Sequence, residues 1–253
     1  MKYYEKLLEL GCFTRDELIQ LTGSAEAANY TIYKYLERGY IDRVKRDLYV
    51  VISLETKQPV LSRYQIGCRL FEDAVISHHS AFEVYGYGNQ VFYETYVATK
   101  KRFRDLDYDS ITYHRVERKD SLDIMVIGNV RVTTLEQTII DSLRDYEKIA
   151  GLEEVARCIQ LIPSVNEDKL MGCLSRNQNG FLYQKCGYVF EQLQNALKLS
   201  DAFYDACEKN SSKSKRYLMK EPGNFVWNER WNLYTPHSLR ALLDKGISDY
   251  DAV

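Results

Sequence analysis

The sequence predicts an α+β fold, and three observations lead to this prediction. Short amphipathic helical segments occupy the N-terminal part, four β-type runs lie in the middle of the chain, and further helical patterns follow them. With 253 residues, 45% hydrophobic and 28% charged, the chain can form one large domain or two small ones around a buried core. These values exclude disordered, fibrous and low-complexity proteins.

The charge of the chain is nearly balanced, with 34 Lys and Arg against 36 Asp and Glu and a net charge of -2. This balance excludes proteins that bind nucleic acid through bulk charge, so any nucleic-acid site has to be local. Apolar runs far shorter than the ~20 residues of a membrane helix predict a cytoplasmic protein without a membrane partner. The six cysteines form no CxxC pair, which indicates reduced thiols packed as small hydrophobic side chains.

The chain begins with three predicted helices, each of which ends at a glycine. Thr14 is followed three positions later by Glu17, the pattern of a capping box at the start of the second helix. Ser24 is the expected N-cap of the third helix. The glycines that end the helices are Gly11, Gly23 and Gly39.

The third helix has one apolar face at helical spacing, and a two-stranded hairpin is predicted to follow it. The β-prone runs of this hairpin cover residues 40–44 and 48–52, and its turn is basic. Between residues 27 and 46 there are five basic and two acidic side chains, and five minus two gives a local charge of +3. This charge is sufficient for a local phosphate-binding site.

Three helices followed by a hairpin with a basic turn are typical of a winged helix-turn-helix, in which the third helix enters the major groove. We therefore predict that residues 1–55 form a DNA-binding domain. The same order also occurs in dimerisation and protein-docking modules, where the cations are merely solvated. The predicted DNA contacts are Tyr30, Thr31, Lys34 and Arg38 near base edges, and Arg43, Lys45 and Arg46 on phosphates.

Residues 59–253 are predicted to form a second domain, with a mixed antiparallel sheet beside helices. Gly128-Asn129 separates two of the β runs and indicates a tight type II′ turn. The predicted strands are 91–98, 111–116, 122–127, 130–133 and 227–234. The predicted helices are 64–72, 76–86, a segment that begins after Thr134, 151–161, 167–174, 183–199, and a last one from Pro236 to Gly246.

Two segments of this second domain have unbalanced charge. Residues 136–168 contain eight acidic and three basic side chains, which indicates either a solvated helical face or an acidic surface for a protein partner. Residues 209–220 contain five basic side chains and no acidic one, which indicates either a flexible loop or a second phosphate contact.

No enzyme motif emerges from the sequence, so we expect no catalytic residue, no metal and no cofactor. The run from Asp105 to Asp109 resembles the start of a calcium loop, but Ser110 stands where that loop needs glycine. His78 and His79 are adjacent, so on a helix their side chains diverge by ~100° and do not share a metal. A nuclease built around Glu94 remains an alternative, although nearby lysines lack the acid-x-Lys spacing.

Several stretches resemble the AbiEi-type antitoxins of the AbiE abortive-infection toxin-antitoxin systems of bacteria. The order of the motifs along most of the chain carries the resemblance. One departure is Asp47, where the turn of the family's hairpin commonly has glycine; aspartate tolerates left-handed backbone, so we expect the hairpin to persist. The matching stretches are residues 35–44, 76–86 and 130–141, with Gly187-Tyr-Val-Phe-Glu191 and Trp231-Asn-Leu-Tyr234 as C-terminal marks.

The resemblance implies an antitoxin that represses its own operon. Its winged helix would bind double-stranded operator DNA at inverted repeats, and its C-terminal domain would antagonise a nucleotidyltransferase-like toxin. In the type IV arrangement this neutralisation occurs without a stable complex, and the chain itself is no enzyme. The alternatives are a DNA-processing nuclease and a ligand-responsive transcription factor with no toxin partner.

Overall fold

The computed structural model of the protein describes residues 2–148, 151–193, 196–220, 224–239 and 243. The chain divides into two compact units. The first unit contains residues 1–76, 92–119 and 124–132, and the second contains 77–91, 120–123 and those from 133 onward. The predicted boundary between residues 55 and 59 falls inside the first unit and stays a prediction. In the described part of the chain, no helix has the length and apolar character needed to cross a membrane.

The first unit begins with three helices and three short strands. Thr14 accepts a hydrogen bond from the Glu17 amide at 3.2 Å and donates its own amide to the Glu17 carboxylate at 2.6 Å, which confirms the capping box. Ser24 caps the third helix by accepting the Ala27 amide at 3.1 Å. The elements are α1 (Tyr4–Leu10), β1 (Cys12–Thr14), α2 (Arg15–Thr22), α3 (Ala25–Glu37), β2 (Ile41–Lys45) and β3 (Leu48–Val51).

Strand β3 lies between β1 and β2 in a small antiparallel sheet. Strands β2 and β3 form the predicted hairpin, with Asp47 in left-handed backbone at φ 61° in its turn. Strand β1 was not predicted because it has only three residues, and it is a strand by virtue of its pairing with β3. Leu7, Phe13 and Leu18 are fully buried between this sheet and the helices.

A six-stranded sheet completes the first unit. The expectation of an antiparallel sheet is wrong for two of its strand pairs, β5–β7 and β4–β9, which are parallel. Between β5 and β7 the chain reverses through β6, which pairs antiparallel with β7, so β7 runs in the direction of β5. The elements are α4 (Arg63–Arg69), β4 (Val75–Ile76), β5 (Glu94–Thr99), β6 (Leu106–Tyr108), β7 (Ile111–Glu117), β8 (Ile124–Ile127) and β9 (Val130–Thr133), in the strand order β6-β7-β5-β4-β9-β8.

The turn between β8 and β9 is tight, as predicted, but its type differs. Gly128 and Asn129 both have positive φ, at 52° and 66°. Positive φ at both central residues is the type I′ pattern, whereas type II′ has it at the first one only. The asparagine side chain tolerates this conformation, so the hairpin does not depend on a second glycine.

The second unit is mainly helical, with a small three-stranded sheet of order β10-β12-β11. Trp231 is fully buried against Gly187 in the core of this unit. Pro236 ends a strand, and the helix predicted from there to Gly246 lies largely outside the described residues. The elements are α5 (His78–Tyr85), α6 (Leu135–Asp145) with a 3₁₀ turn (Tyr146–Lys148), α7 (Gly151–Gln160), α8 (Glu167–Ser175), α9 (Gly180–Gln192), α10 (Asp201–Asn210), β10 (Arg216–Tyr217), β11 (Phe225–Asn228) and β12 (Leu233–Pro236).

Candidate nucleic-acid interface

Helix α3 presents two tyrosine side chains to solvent. Tyr30 is 65% exposed and Tyr33 is 61% exposed, and their spacing of three places them on the same helix face. Thr31 is only 7% exposed, so the expectation that it lies on this face is wrong. It follows the buried Ala28 by three positions and precedes the buried Tyr35 by four, and it therefore belongs to the stripe that faces the core.

Two predicted cations lie near the end of α3. The Lys34 ammonium is 2.8 Å from the Glu37 carboxylate and 5.2 Å from the centre of the Tyr33 ring. The hydrogen bond to Glu37 raises the pKa of Lys34. Arg38 is the C-cap residue of α3 and is exposed. The exposed face of α3 is therefore aromatic, with positive charge toward its C-terminal end.

The β2–β3 hairpin carries two exposed arginines, Arg43 on β2 and Arg46 in the turn. The Arg46 side chain is 90% exposed, with its Nε 3.5 Å from the Asp47 carboxylate. Arg43 is also exposed, and its Nε donates to the Lys45 carbonyl at 3.4 Å. Surface pairs of this kind are weak, so both guanidinium groups are available to a phosphate.

Lys45 is in a different environment from the two arginines. Its ammonium lies 3.8 Å from the centre of the Phe71 ring, and Phe71 packs against Phe103 at 5.2 Å between ring centres. Burial lowers the pKa of Lys45. The lysine therefore ties the hairpin to the rest of the first unit, and its predicted phosphate contact stays a prediction.

A cleft of about 290 Å³ lies between the start of α2 and the hairpin turn. Four cations and two carboxylates line it: Arg15, Lys45, Arg46, Arg69, Asp16 and Asp47. Arg15 donates to the Asn29 side chain at 2.9 Å, and Arg69 pairs with Glu17 at 2.7 Å. Sequence reasoning missed Arg15 and Arg69, because only the tertiary structure brings them beside the turn.

The second unit holds the two adjacent histidines, whose side chains diverge as predicted. His78 is 2.9 Å from the Ser77 hydroxyl and 3.5 Å from the Asp145 carboxylate, whereas His79 is 2.9 Å from Glu154. The six cysteines are buried free thiols, in agreement with the prediction for them.

The two unbalanced segments are not simple solvated surfaces. Asp141 and Glu154 from the acidic segment are buried, at 3% and 4% exposure. In the basic segment, Lys215 lies 4.8 Å from the Trp227 ring centre and Lys220 pairs with Glu147. The protein partner proposed for the acidic segment and the phosphate contact proposed for the basic segment stay predictions.

No protein-family model matches this chain, and no curated protein is similar enough to count as a match.

Proposed function

We propose that this protein is a DNA-binding transcriptional repressor whose residues 1–55 form a winged helix-turn-helix. The observation that carries the proposal is the order helix, strand, helix, helix, strand, strand, with β3 between β1 and β2. In winged helices of this kind the third helix enters the major groove and the hairpin turn contacts phosphates. The exposed face of α3 and the exposed arginines of the hairpin support these two roles.

In the proposed complex, Tyr30, Lys34 and Arg38 face the bases, and Tyr33 joins them because it shares their exposed surface. Tyrosine suits this position because its ring packs on apolar groups while its hydroxyl makes a hydrogen bond. Arg43 and Arg46 contact phosphates on either side, and Thr31 serves packing instead of readout.

The proposed function also has an antitoxin part, which the resemblance to AbiEi-type antitoxins supports. In this proposal the protein acts in the cytoplasm, represses its own operon at inverted repeats, and antagonises a nucleotidyltransferase-like toxin through its C-terminal part. We propose no catalytic role for the chain, and the proposed antagonism does not require a stable complex with the toxin.

One observation favours the ligand-responsive alternative. A cleft of about 590 Å³ in the first unit has a volume suited to a small molecule. The paired Glu17 and Arg69 line it together with Arg131, so a ligand there would compete with an ion pair that holds α2. This cleft would give a repressor a control site and does not itself oppose DNA binding.

The decisive experiment measures binding of the full chain to duplexes from the region upstream of its own gene. Fluorescence anisotropy should show at least ~10³-fold tighter binding to the duplex with the inverted repeat than to a scrambled duplex of equal composition. Equal affinity for both duplexes would remove sequence-specific repression. Cleavage of either duplex in the presence of Mg²⁺ would favour the nuclease instead.

The antitoxin part is tested in cells that express a nucleotidyltransferase-like gene from the same operon. Co-expression of the full chain should restore growth, whereas an unrelated winged-helix repressor at equal abundance should not. Failure to restore growth, with operator binding intact, would leave a repressor without a toxin partner.

A further inference from the structure

Three side chains of metal-ligating types converge inside the second unit. They are His79 on α5 and Glu154 and Cys158 on α7, and their exposures are 2%, 4% and 0%. Glu154 and Cys158 are four positions apart and therefore share one helix face. The three ligand atoms, one nitrogen, one oxygen and one sulfur, all lie within 4.8 Å of one another.

The separations of these atoms are close to those that a tetrahedral ion imposes. His79 Nε2 is 2.9 Å from Glu154 Oε1, and Cys158 Sγ is 3.4 Å from the same oxygen. Ligand atoms bound to one zinc ion are roughly 3.4 to 3.6 Å apart, given zinc-ligand distances of about 2.0 to 2.3 Å. Two of the three separations therefore lie within roughly half an ångström of the values for a bound ion, and the third, between His79 and Cys158, is at most 4.8 Å.

The surroundings of the cluster also have the features of a metal site. The second ring nitrogen of His79, Nδ1, is 3.7 Å from the buried Glu83 carboxylate. The Asn89 amide donates to Glu154 Oε2 at 2.9 Å, and the Gln90 backbone amide donates to Oε1 at 3.1 Å. A carboxylate behind a ligating histidine and hydrogen bonds to a ligating carboxylate are the usual second layer of a metal site.

We propose that His79, Glu154 and Cys158 bind one zinc ion. Imidazole, carboxylate and thiolate are all zinc ligands, and the fourth tetrahedral position goes to a water molecule. On binding, the Cys158 thiol releases its proton to solvent, and His79 carries its proton on Nδ1, facing Glu83. The two positive charges of zinc then balance the Glu154 carboxylate and the Cys158 thiolate, so the site is neutral.

The competing explanation is a network of hydrogen bonds without a metal. Glu154 already accepts hydrogen bonds from His79, Asn89 and Gln90, so its carboxylate is satisfied in the metal-free state. The two explanations differ in one measurable respect, because only the metal site creates a bond between Cys158 sulfur and a metal ion.

The test uses the full-length protein, stripped of metal with a chelator and titrated with Co²⁺ as a spectroscopic substitute for zinc. We expect one equivalent of Co²⁺ to give a thiolate-to-cobalt charge-transfer band in the near ultraviolet and visible bands of tetrahedral cobalt. Zn²⁺ should then abolish both. A folded wild-type protein that gives no thiolate band would overturn the proposal in favour of the hydrogen-bond network.

Variants assign the site. Cys158→Ser should lose the charge-transfer band, whereas Cys207→Ser, a change at another fully buried cysteine of the same unit, should keep it. Glu83→Gln should keep the band but weaken Zn²⁺ affinity by about 10- to 100-fold, as expected for a residue behind the ligand. Retention of the band in a folded Cys158→Ser protein would overturn the assignment, as would a band lost equally in Cys207→Ser.

Discussion

Tyr30 and Tyr33 are the most exposed aromatic side chains on α3. Large exposed aromatic rings on a helix whose opposite face is fully packed mark a contact surface, because monomeric proteins seldom expose adjacent rings without a use. Lys34, next to the Tyr33 ring, adds a charge that nucleic acid attracts. The exposed face of α3 thus combines two aromatic rings with a lysine, as the proposed contact with DNA requires.

We predict that Tyr30→Ala weakens binding to the operator duplex more than binding to a scrambled duplex. The difference should be about 1 to 3 kcal/mol, the usual value of one good base contact. Anisotropy titrations at one salt concentration measure it. Tyr93→Ala, at a tyrosine of similar exposure outside the proposed interface, should change neither affinity. Equal losses on both duplexes would assign Tyr30 to the phosphate backbone.

Asp145 makes the stability of the second unit depend on pH. Burial opposes its ionisation, but the hydrogen bond to His78 and the Arg144 guanidinium outweigh this effect and hold the pKa of the carboxyl well below its usual 3.8. Arg144 donates to Asp145 from Nε at 2.8 Å, and its Nη2 is 2.7 Å away. A carboxyl whose pKa is lower in the folded state stabilises the fold above pH ~4, and this stabilisation is lost as the pH falls through the lower value.

We predict that Asp145→Asn lowers the free energy of unfolding at pH 7 by about 2 kcal/mol, the contribution of a charged hydrogen bond. The difference from wild type should shrink as the pH falls below about 4. Urea unfolding at pH 7 and pH 3 measures both effects. Asp205→Asn, at an exposed position of α10, provides the control. A deficit that stays constant with pH would show that the carboxylate charge is not responsible.

At the scale of elements, α9 and the turn before β12 are held together by close packing. A Cβ atom at Gly187 would lie 2.2 Å from the Trp231 ring, closer than any real contact. The same ring donates its Nε1 hydrogen to Glu191 at 2.8 Å, so it has a fixed position beside the helix. Glycine at position 187 is required by this approach and not by backbone conformation.

We predict that Gly187→Ala destabilises the protein by about 3 kcal/mol, the upper part of the range for overpacked cores. Gly172→Ala, in the interior of α8 with its nearest neighbour at 3.9 Å, should be neutral or stabilising by up to ~1 kcal/mol because alanine favours helix. Thermal unfolding of the two variants measures the contrast. Similar melting temperatures for both would mean that Trp231 moves aside at little cost.

Two neighbouring cations of the β2–β3 hairpin, Lys45 and Arg46, are expected to have different roles. We predict that Arg46→Ala makes the log-log salt dependence of DNA binding shallower by about 1, the effect of one lost phosphate contact. Lys45→Ala should change this slope less and lower the melting temperature instead, because its interaction with Phe71 is lost. Lys6→Ala, at an exposed cation of α1, is the control. The reverse order of slopes would place Lys45 and not Arg46 on the phosphate.

The elements best predicted from the sequence are helices whose ends are marked by capping residues and glycines. Thr14, Ser24 and the glycines define the first three helices, and their caps form as expected. Strands β4 and β10 and the parallel pairs were not predicted, because pairing over long distances leaves no short pattern. Strand β6 was not predicted because three residues are too few to show an alternating pattern. Thr31 was assigned to the wrong face of α3 because it lies at the boundary between the buried and the exposed faces. Arg15, Arg69 and the cluster around His79 were not predicted as sites because the residues that come together there are far apart in sequence.

At the scale of the whole molecule, the N-terminal segment has several contacts outside residues 1–55. Glu17 pairs with Arg69, Lys45 packs on Phe71, and the Leu61 side chain occupies the space beside Gly11. All of these residues belong to the first unit. The predicted division at residues 55–59 therefore concerns function, and the compact unit that contains the proposed DNA-binding segment extends further along the chain.

We predict that a fragment of residues 1–132 binds operator DNA at least 10-fold more tightly than a fragment of residues 1–55. Neither fragment should restore growth to cells that express the toxin, whereas full-length Arg46→Ala, with weakened DNA binding, should restore it. Anisotropy and a growth assay measure the two activities. Restored growth with either fragment would assign toxin antagonism to the first unit and reverse the proposed division.

The parallel pairing of Ile76 with Val132 affects the order in which the protein folds during its synthesis. These two residues are 56 positions apart (132 minus 76), and two segments between them, residues 77–91 and 120–123, belong to the second unit. During synthesis, one edge of strand β4 stays unpaired until β9 emerges from the ribosome, whereas the helices that precede β4 form from local contacts alone. The segment proposed to read DNA is thus synthesised first, while the sheet that belongs to its unit is completed only when more than half of the chain exists.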